Sequence, residues 1–233
     1  LGIMFHFQQF SIRHENASMK VGTDGVLLGA WTPLPDQESL ILDVGTGTGL
    51  IALMLAQRAP RATVHGVEFD DMSCRDARHN FEKAPWDDRL HLYETSFQDF
   101  YQTRDPRYHL IVCNPPFFSQ SLHNPCHRKA NARHNHALSH EELLTGSEQL
   151  LLPDGMISLI LPFDAYESFR SLAARTGWFE YRRLMVRPSP RKLVKRVLSL
   201  WGKRMPCGPL ESDEMIVEWA RHHFSEEFRN LTS

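Results

Sequence analysis

The chain has 233 residues, 42% of them hydrophobic, and a formal net charge of -2. That length buries one sizeable core, whereas two independent domains would each be left with a small one. The near-neutral balance excludes nucleic-acid binding by bulk charge, so any such argument must rest on where the charges lie.

In chain order, Leu1 to Phe10 is apolar and aromatic but has no basic leader, continuous apolar stretch or small-residue cleavage site. No run approaches the length that spans a bilayer, so a cytoplasmic protein without membrane attachment is expected. Leu40 to Val44 is a short run rich in branched residues, and Gly45-Thr46-Gly47-Thr48-Gly49 follows at once. This predicts a buried strand and a tight turn. Leu50 to Arg58 has helical spacing, Ala62 to Glu68 reads as a strand, and Asp70 or Asp71 can cap a helix to about Lys83. Arg89 to Tyr93 and Tyr108 to Cys113 are further strands, the second stopped by Asn114-Pro115-Pro116. Beyond a long loop to about Ser139, a helix over Glu141 to Leu151 leads through Pro153-Asp154-Gly155 to a strand, Met156 to Leu161, and a helix, Ala165 to Thr176. Phe179 to Val186 and Val194 to Trp201 form a predicted antiparallel hairpin. The alternation predicts a doubly wound α/β sheet that the hairpin makes mixed.

Two stretches lack acidic residues. Pro106 to His140 carries Arg107, Arg128, Lys129 and Arg133 among six histidines, and Tyr181 to Leu210 carries nine Lys or Arg residues. Solvated faces are the plain alternative to an anionic partner. The cysteines Cys74, Cys113, Cys126 and Cys207 show no paired short spacing, which fits reduced thiols. Histidines scattered in a loop without cysteine or carboxylate partners rarely bind metal, and none is expected here.

A glycine turn between strand and helix lets backbone approach a ligand, because glycine has no side chain to obstruct it and accepts positive φ. Dinucleotide sites use G-x-G-x-x-G, whereas Asp43-x-Gly45-x-Gly47-x-Gly49 resembles the S-adenosylmethionine signature of class I methyltransferases. The resemblance implies a Rossmann-like class I methyltransferase fold with a mostly parallel seven-stranded sheet and a C-terminal antiparallel hairpin. It also implies cofactor contacts from Asp43, Gly45, Thr46, Gly47 and Gly49, and a ribose contact from Glu68 at the end of the second strand. Phe69 would lie beside the adenine, and Ser96 occupies the slot where an acidic residue often meets the adenine amino group. The alternative is that Glu68 merely starts a polar loop.

The lone pair of an exocyclic amine is delocalised into its ring, so the amine is a poor nucleophile until it is pyramidalised. Asn114 offers a side-chain carbonyl acceptor, and Pro115 a main-chain carbonyl without an N–H of its own. Two acceptors directed at the two amine hydrogens would turn the lone pair toward a methyl donor, helped by orientation and electrostatics rather than by a general base. Phe117 supplies a face for stacking, and Pro115 and Pro116 stiffen the backbone. As a bare tetrapeptide Asn114-Pro115-Pro116-Phe117 could be a strand-terminating turn. Its place after the fourth strand is where amino-methyltransferases of this type carry the motif.

Such motifs serve adenine N6, guanine N2 and glutamine side chains. Met19 to Trp31 (MKVGTDGVLLGAW) and Leu50 to Arg58 resemble the bacterial tRNA1(Val) (adenine-37-N6)-methyltransferase family, over most of the chain and most strongly before about residue 120. The resemblance implies a single domain over 1–233, whose first 38 residues extend over the cofactor site. It implies that Lys20, Thr23 and Asp24 meet the cofactor's amino-acid end, although Asp24 could instead cap a helix from Gly25 to Ala30. Arg187-Pro188-Ser189-Pro190 and Lys195-Arg196-Val197-Leu198 are similar to the family's basic hairpin. RNA contacts are therefore expected from Arg187, Arg191, Lys192, Lys195 and Arg196, and from Arg128, Lys129 and Arg133. The implied reaction is N6-methylation of adenosine 37 in a valine tRNA, with tRNA as partner and no obligate protein partner. Guanine-N2 methylation of ribosomal RNA, protein glutamine methylation, a catalytically silent RNA-binding module and an NAD-linked dehydrogenase are the competing readings.

Overall fold

The computed structural model describes residues 4–7, 9–15, 22–115, 138–220 and 223–232. A short hairpin, β1 (Met4–His6) and β2 (Ser11–Arg13), precedes α1 (Thr23–Trp31). The alternating core follows as β3 (Ser39–Val44), α2 (Leu50–Arg58), β4 (Ala62–Glu68), α3 (Asp71–Glu82), β5 (Leu90–Glu94), α4 (Phe97–Thr103) and β6 (Tyr108–Cys113). After it come α5 (His140–Leu150), β7 (Leu151–Pro162), α6 (Phe163–Arg175), β8 (Phe179–Arg187), β9 (Arg196–Gly202) and β10 (Glu211–Ile216). A small arch, β11 (Glu218–Ala220) and β12 (His223–Phe224), leads into α7 (Glu226–Thr232).

Eight strands form the main sheet in the order β10-β8-β9-β7-β6-β3-β4-β5. Only β9 runs against the others, paired antiparallel to both β7 and β8. The expected mostly parallel sheet and its closing hairpin are therefore present. One edge strand, β10, extends the sheet beyond the expected seven and lies parallel to β8. Its sequence, ESDEMI, reads as a charged loop because only Met215 is buried. What makes it a strand is its neighbour: Arg182 meets Glu211 at 3.6 Å and Arg187 meets Glu214 at 2.5 Å across the ladder.

Helices cover both faces, so the central strands are buried nearly throughout rather than alternating buried and exposed. Successive residues of β3 serve opposite cores. Ile41 packs with Leu27, Leu28 and Trp31 of α1 and with α2, while Leu42 and Val44 pack with Phe97 and Phe100 of α4, Leu143 of α5 and Phe169 of α6. Every residue of α2 from Leu50 to Ala56 is buried, because α1 covers the side that the sheet does not. Gly25 and Gly29, one helical turn apart, permit that approach. A Cβ would stand 3.0 Å from Leu50 Cδ2 at the first and 2.7 Å from Met54 Sδ at the second.

Arginines hold the helix ends. Arg58 donates to Gly29 O and Thr32 O at the end of α1, and Arg89 donates to the carbonyls of Ala56, Ala59 and Ala62 at the end of α2. Asn80 ties the N-terminal hairpin to α3. Its amide accepts from Arg13 N at 2.8 Å and donates to Arg13 O at 2.9 Å and Thr48 O at 2.8 Å, a strand-like pairing made by a side chain. Among the described residues no helix is long and apolar enough to cross a membrane.

Two local readings change. Pro153, Asp154 and Gly155 do not separate α5 from the next strand; β7 begins at Leu151 and carries them as a bulge between the pairs Tyr108–Leu151 and Leu110–Met156. Ser96 begins a helix that the sequence reading passed over, α4, as its N-cap.

Gly49 has φ 83°, and an added Cβ would lie 2.5 Å from Phe81 Cε1 on α3. Gly49→Ala is expected to lower the unfolding free energy by about 1–3 kcal/mol, through strained φ and overpacking together. Urea denaturation followed by circular dichroism checks this, and an unchanged midpoint would contradict it.

Candidate functional site

Parallel strands bring their C-terminal ends to one edge of the sheet, and ligands of such sheets bind there. The glycine turn leaves the end of β3, Glu68 ends β4, and Asn114 follows β6 at that edge. The turn is fixed from below: the N–H groups of Gly45 and Thr46 both donate to Val67 O, at 2.9 and 3.0 Å. Gly45, Gly47 and Gly49 all have positive φ, at 68°, 57° and 83°. Their surroundings differ. Among the described residues, a Cβ at Gly45 would meet nothing within 4 Å, and at Gly47 only Gly45 O at 4.0 Å. At Gly49 a Cβ would meet Phe81 of α3.

Asp43 is fully buried under the turn. Its Oδ2 accepts from the Thr46 hydroxyl at 2.6 Å and from Ala52 N at 3.1 Å, while Oδ1 is buried with no hydrogen-bond partner among the described residues. Burial pushes its carboxyl up to about 7, although the Thr46 and Ala52 hydrogen bonds pull the other way. Glu68, on the neighbouring strand, accepts from Gly47 N at 2.9 Å through Oε2 and from Phe69 N and Asp70 N at 3.0 and 2.9 Å through Oε1. Burial raises its pKa, and these three N–H groups oppose the rise. Phe69 is 44% exposed beside it, unusual for so large an apolar ring.

Asn114, directly after β6, has its Oδ1 buried and unpartnered among the described residues. Such an acceptor costs about 1–3 kcal/mol in the free protein, a cost that a donor from outside would relieve. Pro115 is buried beside it, and Pro116 and Phe117 lie outside the described residues.

The remaining expected residues divide. Thr23 is the first residue of α1 and exposed. Asp24 does not cap that helix: Gly22 holds the N-cap position without a side-chain cap, and Asp24 Oδ2 accepts from Arg196 Nε at 2.7 Å. Arg187 is paired with Glu214. Of the expected RNA contacts, Arg187 and Arg196 are thus engaged within the protein, while Arg191, Lys192 and Lys195 are exposed and form no ion pair among the described residues. Ser96 is occupied by α4, accepting from Asp99 N and donating to Asp99 Oδ2. Lys20, Arg128, Lys129 and Arg133 lie outside the described residues. The sequence reading missed Asn80, a buried amide in a charged helix with no motif around it. It also missed Gly66, on which the Thr46 side chain rests; a Cβ there would fall 2.9 Å from Thr46 Cγ2.

The methyltransferase small domain family matches residues 25–164. The chain is 41% identical over 230 residues to the tRNA1(Val) (adenine(37)-N6)-methyltransferase of Bacteroides fragilis, covering 98% of this chain and 95% of that one. It is 36% identical over 230 residues to the protein of the same name in Photorhabdus laumondii, covering 98% and 93%. Among solved structures, a predicted O-methyltransferase from Agrobacterium tumefaciens superposes with TM-score 0.69 at 17% identity, covering 90% and 95% of the two chains. TYW2 of Pyrococcus horikoshii, solved in complex with MeSAdo, superposes with TM-score 0.60 at 16% identity, covering 87% and 72%. At those identities the likeness concerns the fold.

The raised pKa of Asp43 has a consequence for stability. A carboxyl whose folded pKa exceeds its unfolded value stabilises the fold below the unfolded pKa, and that contribution fades as pH rises through the folded one. The contribution of Asp43 should fall between about pH 4 and about pH 7 and level off above, and Asp43→Asn should flatten that part of the curve. Urea denaturation across this range measures both; parallel curves would refute the assignment.

Proposed function

The chain belongs to the tRNA1(Val) (adenine(37)-N6)-methyltransferase family, and on that premise we propose that it methylates N6 of an adenine in tRNA, with S-adenosyl-L-methionine as donor and adenosine 37 of a valine tRNA as target. The observation that carries the reading is the buried Oδ1 of Asn114, without a partner among the described residues, on the same sheet edge as two glycines that no described side chain approaches.

The residues at the glycine turn fit the donor. Among the described residues, Gly45 and Gly47 leave room that a side chain would fill, Glu68 offers a carboxylate already oriented by three N–H groups, and Asp43 Oδ1 lies beneath without a partner. Gly45, Thr46, Gly47 and Asp43 would hold the amino-acid end, joined by Thr23, Asp24 and Lys20. Glu68 would take the ribose hydroxyls, and Phe69 would cover the base. When bound, S-adenosylmethionine supplies a methyl group on a positively charged sulfur.

The protein's own task is to make the amine a nucleophile. Asn114 Oδ1 accepts one amine hydrogen and the Pro115 carbonyl accepts the other. The nitrogen lone pair is then drawn out of conjugation and aimed along one line. Acceptors set before substrate arrives would cost nothing to orient at the moment of reaction. Phe117 would hold the base plane, and RNA must present that base unstacked.

Asn114→Ala is expected to reduce turnover by at least about 100-fold, the scale of losing a preorganised polar group, while cofactor affinity by calorimetry changes less than about threefold. Equal loss of both in a folded variant would make the tetrapeptide structural. Glu68→Gln should do the reverse, weakening cofactor binding about tenfold or more through lost charge-assisted hydrogen bonds. The substrate is tested with radiolabelled cofactor and unmodified tRNA digested to nucleosides. Label in N6-methyladenosine is expected, and label only in N2-methylguanosine would overturn the reading.

A further inference from the structure

Two exposed aromatic rings stand on the C-terminal arch with no role in the site described so far. Trp219 of β11 is 57% exposed and Phe224 of β12 is 44% exposed. Phe224 stacks on Phe228 of α7 with centroids 5.0 Å apart and planes 22° apart, and Phe228 packs against the core beneath. The arch is hydrogen-bonded to the root of the basic turn: Val217 N donates to Arg187 O at 2.9 Å and Glu218 N to Pro188 O at 3.1 Å. Ser225 N returns to Val217 O at 2.9 Å and closes it.

That anchoring sets Trp219 beside the turn over residues 188–195. There Arg191, Lys192 and Lys195 are exposed and form no ion pair among the described residues, and Leu193 is 81% exposed. The turn joins the end of β8 to the start of β9, where Arg196 pairs with Pro162 at the end of β7 in the ladder. It therefore leaves the sheet on the same edge as Asn114, and Asp24 at the start of α1 is bound to its root through Arg196. Of the acids nearby, Glu214 pairs with Arg187, and Glu226 and Glu227 occupy the first turn of α7, where a helix favours negative charge; within the arch itself the acid is Glu218, half-buried next to Trp219.

We propose that the β11–β12 arch is a base-stacking platform for the RNA. Trp219 is its principal face, and the cationic turn holds the adjoining phosphates. The inference rests on the RNA substrate proposed above and adds residues that neither the motif nor the basic segments contain. Single-stranded nucleic acid is recognised by this pairing of cations that follow the backbone with aromatic faces that take up unstacked bases. An enzyme that draws one base out of a folded loop leaves its neighbours unstacked, and they gain from a flat surface nearby.

The test is direct binding of unmodified tRNA by fluorescence anisotropy, so that its failure is separable from a failure of catalysis. Trp219→Ala should raise the Kd about tenfold, within the range for losing one stacked base, with an unchanged salt slope. Trp219→Phe should recover most of the affinity. Replacing Arg191, Lys192 and Lys195 together by Ala should weaken binding and lower the salt slope by about 2–3. Calorimetric affinity for S-adenosylmethionine should stay at the wild-type value in all of them. A Trp219→Ala protein with wild-type melting and wild-type RNA affinity would overturn the proposal, and so would a variant whose only change is loss of a dimer in sedimentation. As a check that needs no variant, the wild-type chain is photocrosslinked to RNA carrying 5-iodouridine in the anticodon loop. Crosslinks in the peptide containing Trp219 are expected, and crosslinks confined to other peptides would refute it.

Discussion

Two buried carboxylates on adjacent strands hold the glycine turn, and the rest of the site depends on them. Asp43 grips the turn from its own strand through Thr46 and the first turn of α2, and Glu68 grips it from β4 through Gly47 N. Among the described residues neither is matched by a cation at the turn; their hydrogen bonds come from backbone N–H groups and one hydroxyl. Burial therefore raises both pKa values even as those bonds resist. A site so built holds negative charge at a cost in the free protein, which is an arrangement suited to a ligand bearing positive charge.

Asn114 follows the same logic with a neutral group. Its Oδ1 is placed by the end of β6, and the following prolines supply no N–H to satisfy it. The glycine turn and Asn114 are separated by about 70 residues of sequence and come to the same edge because β3 and β6 are parallel neighbours in register. The parallel sheet is thus what brings these two distant segments to one edge. The same edge carries the root of the basic turn, which links the chemistry to the surface that would receive a large substrate.

Much of this was legible in the sequence, and the failures have physical causes. The strand-turn-helix units of the first half could be read because buried parallel strands are continuous apolar runs and glycine turns punctuate them. The edge strand β10 was not, because its stability comes from arginines on another strand. The three glycines look alike as letters, but among the described residues no side chain approaches Gly45 or Gly47 while Gly49 borders Phe81. Likewise the block from Lys20 to Trp31 reads as one functional signature, although Gly25 and Gly29 within it serve the packing of α1 on α2. Charge was the least legible property. Arg196 appeared as one cation of a basic hairpin, and its partner Asp24 lies 172 positions away. Only contact across the fold separates the cations already engaged from those left available.

The pairing of Asn80 with Arg13 bears on how this protein can be shortened or tagged. An amide that meets both backbone groups of one residue acts as a surrogate strand edge. The early hairpin is thereby joined to α3 and, through Thr48 O, to the glycine turn itself. A chain trimmed past Arg13 would keep every motif residue. It would nonetheless strand a buried amide and loosen the backbone of the turn, so loss of cofactor affinity in such a fragment would report a missing scaffold and not a missing ligand contact.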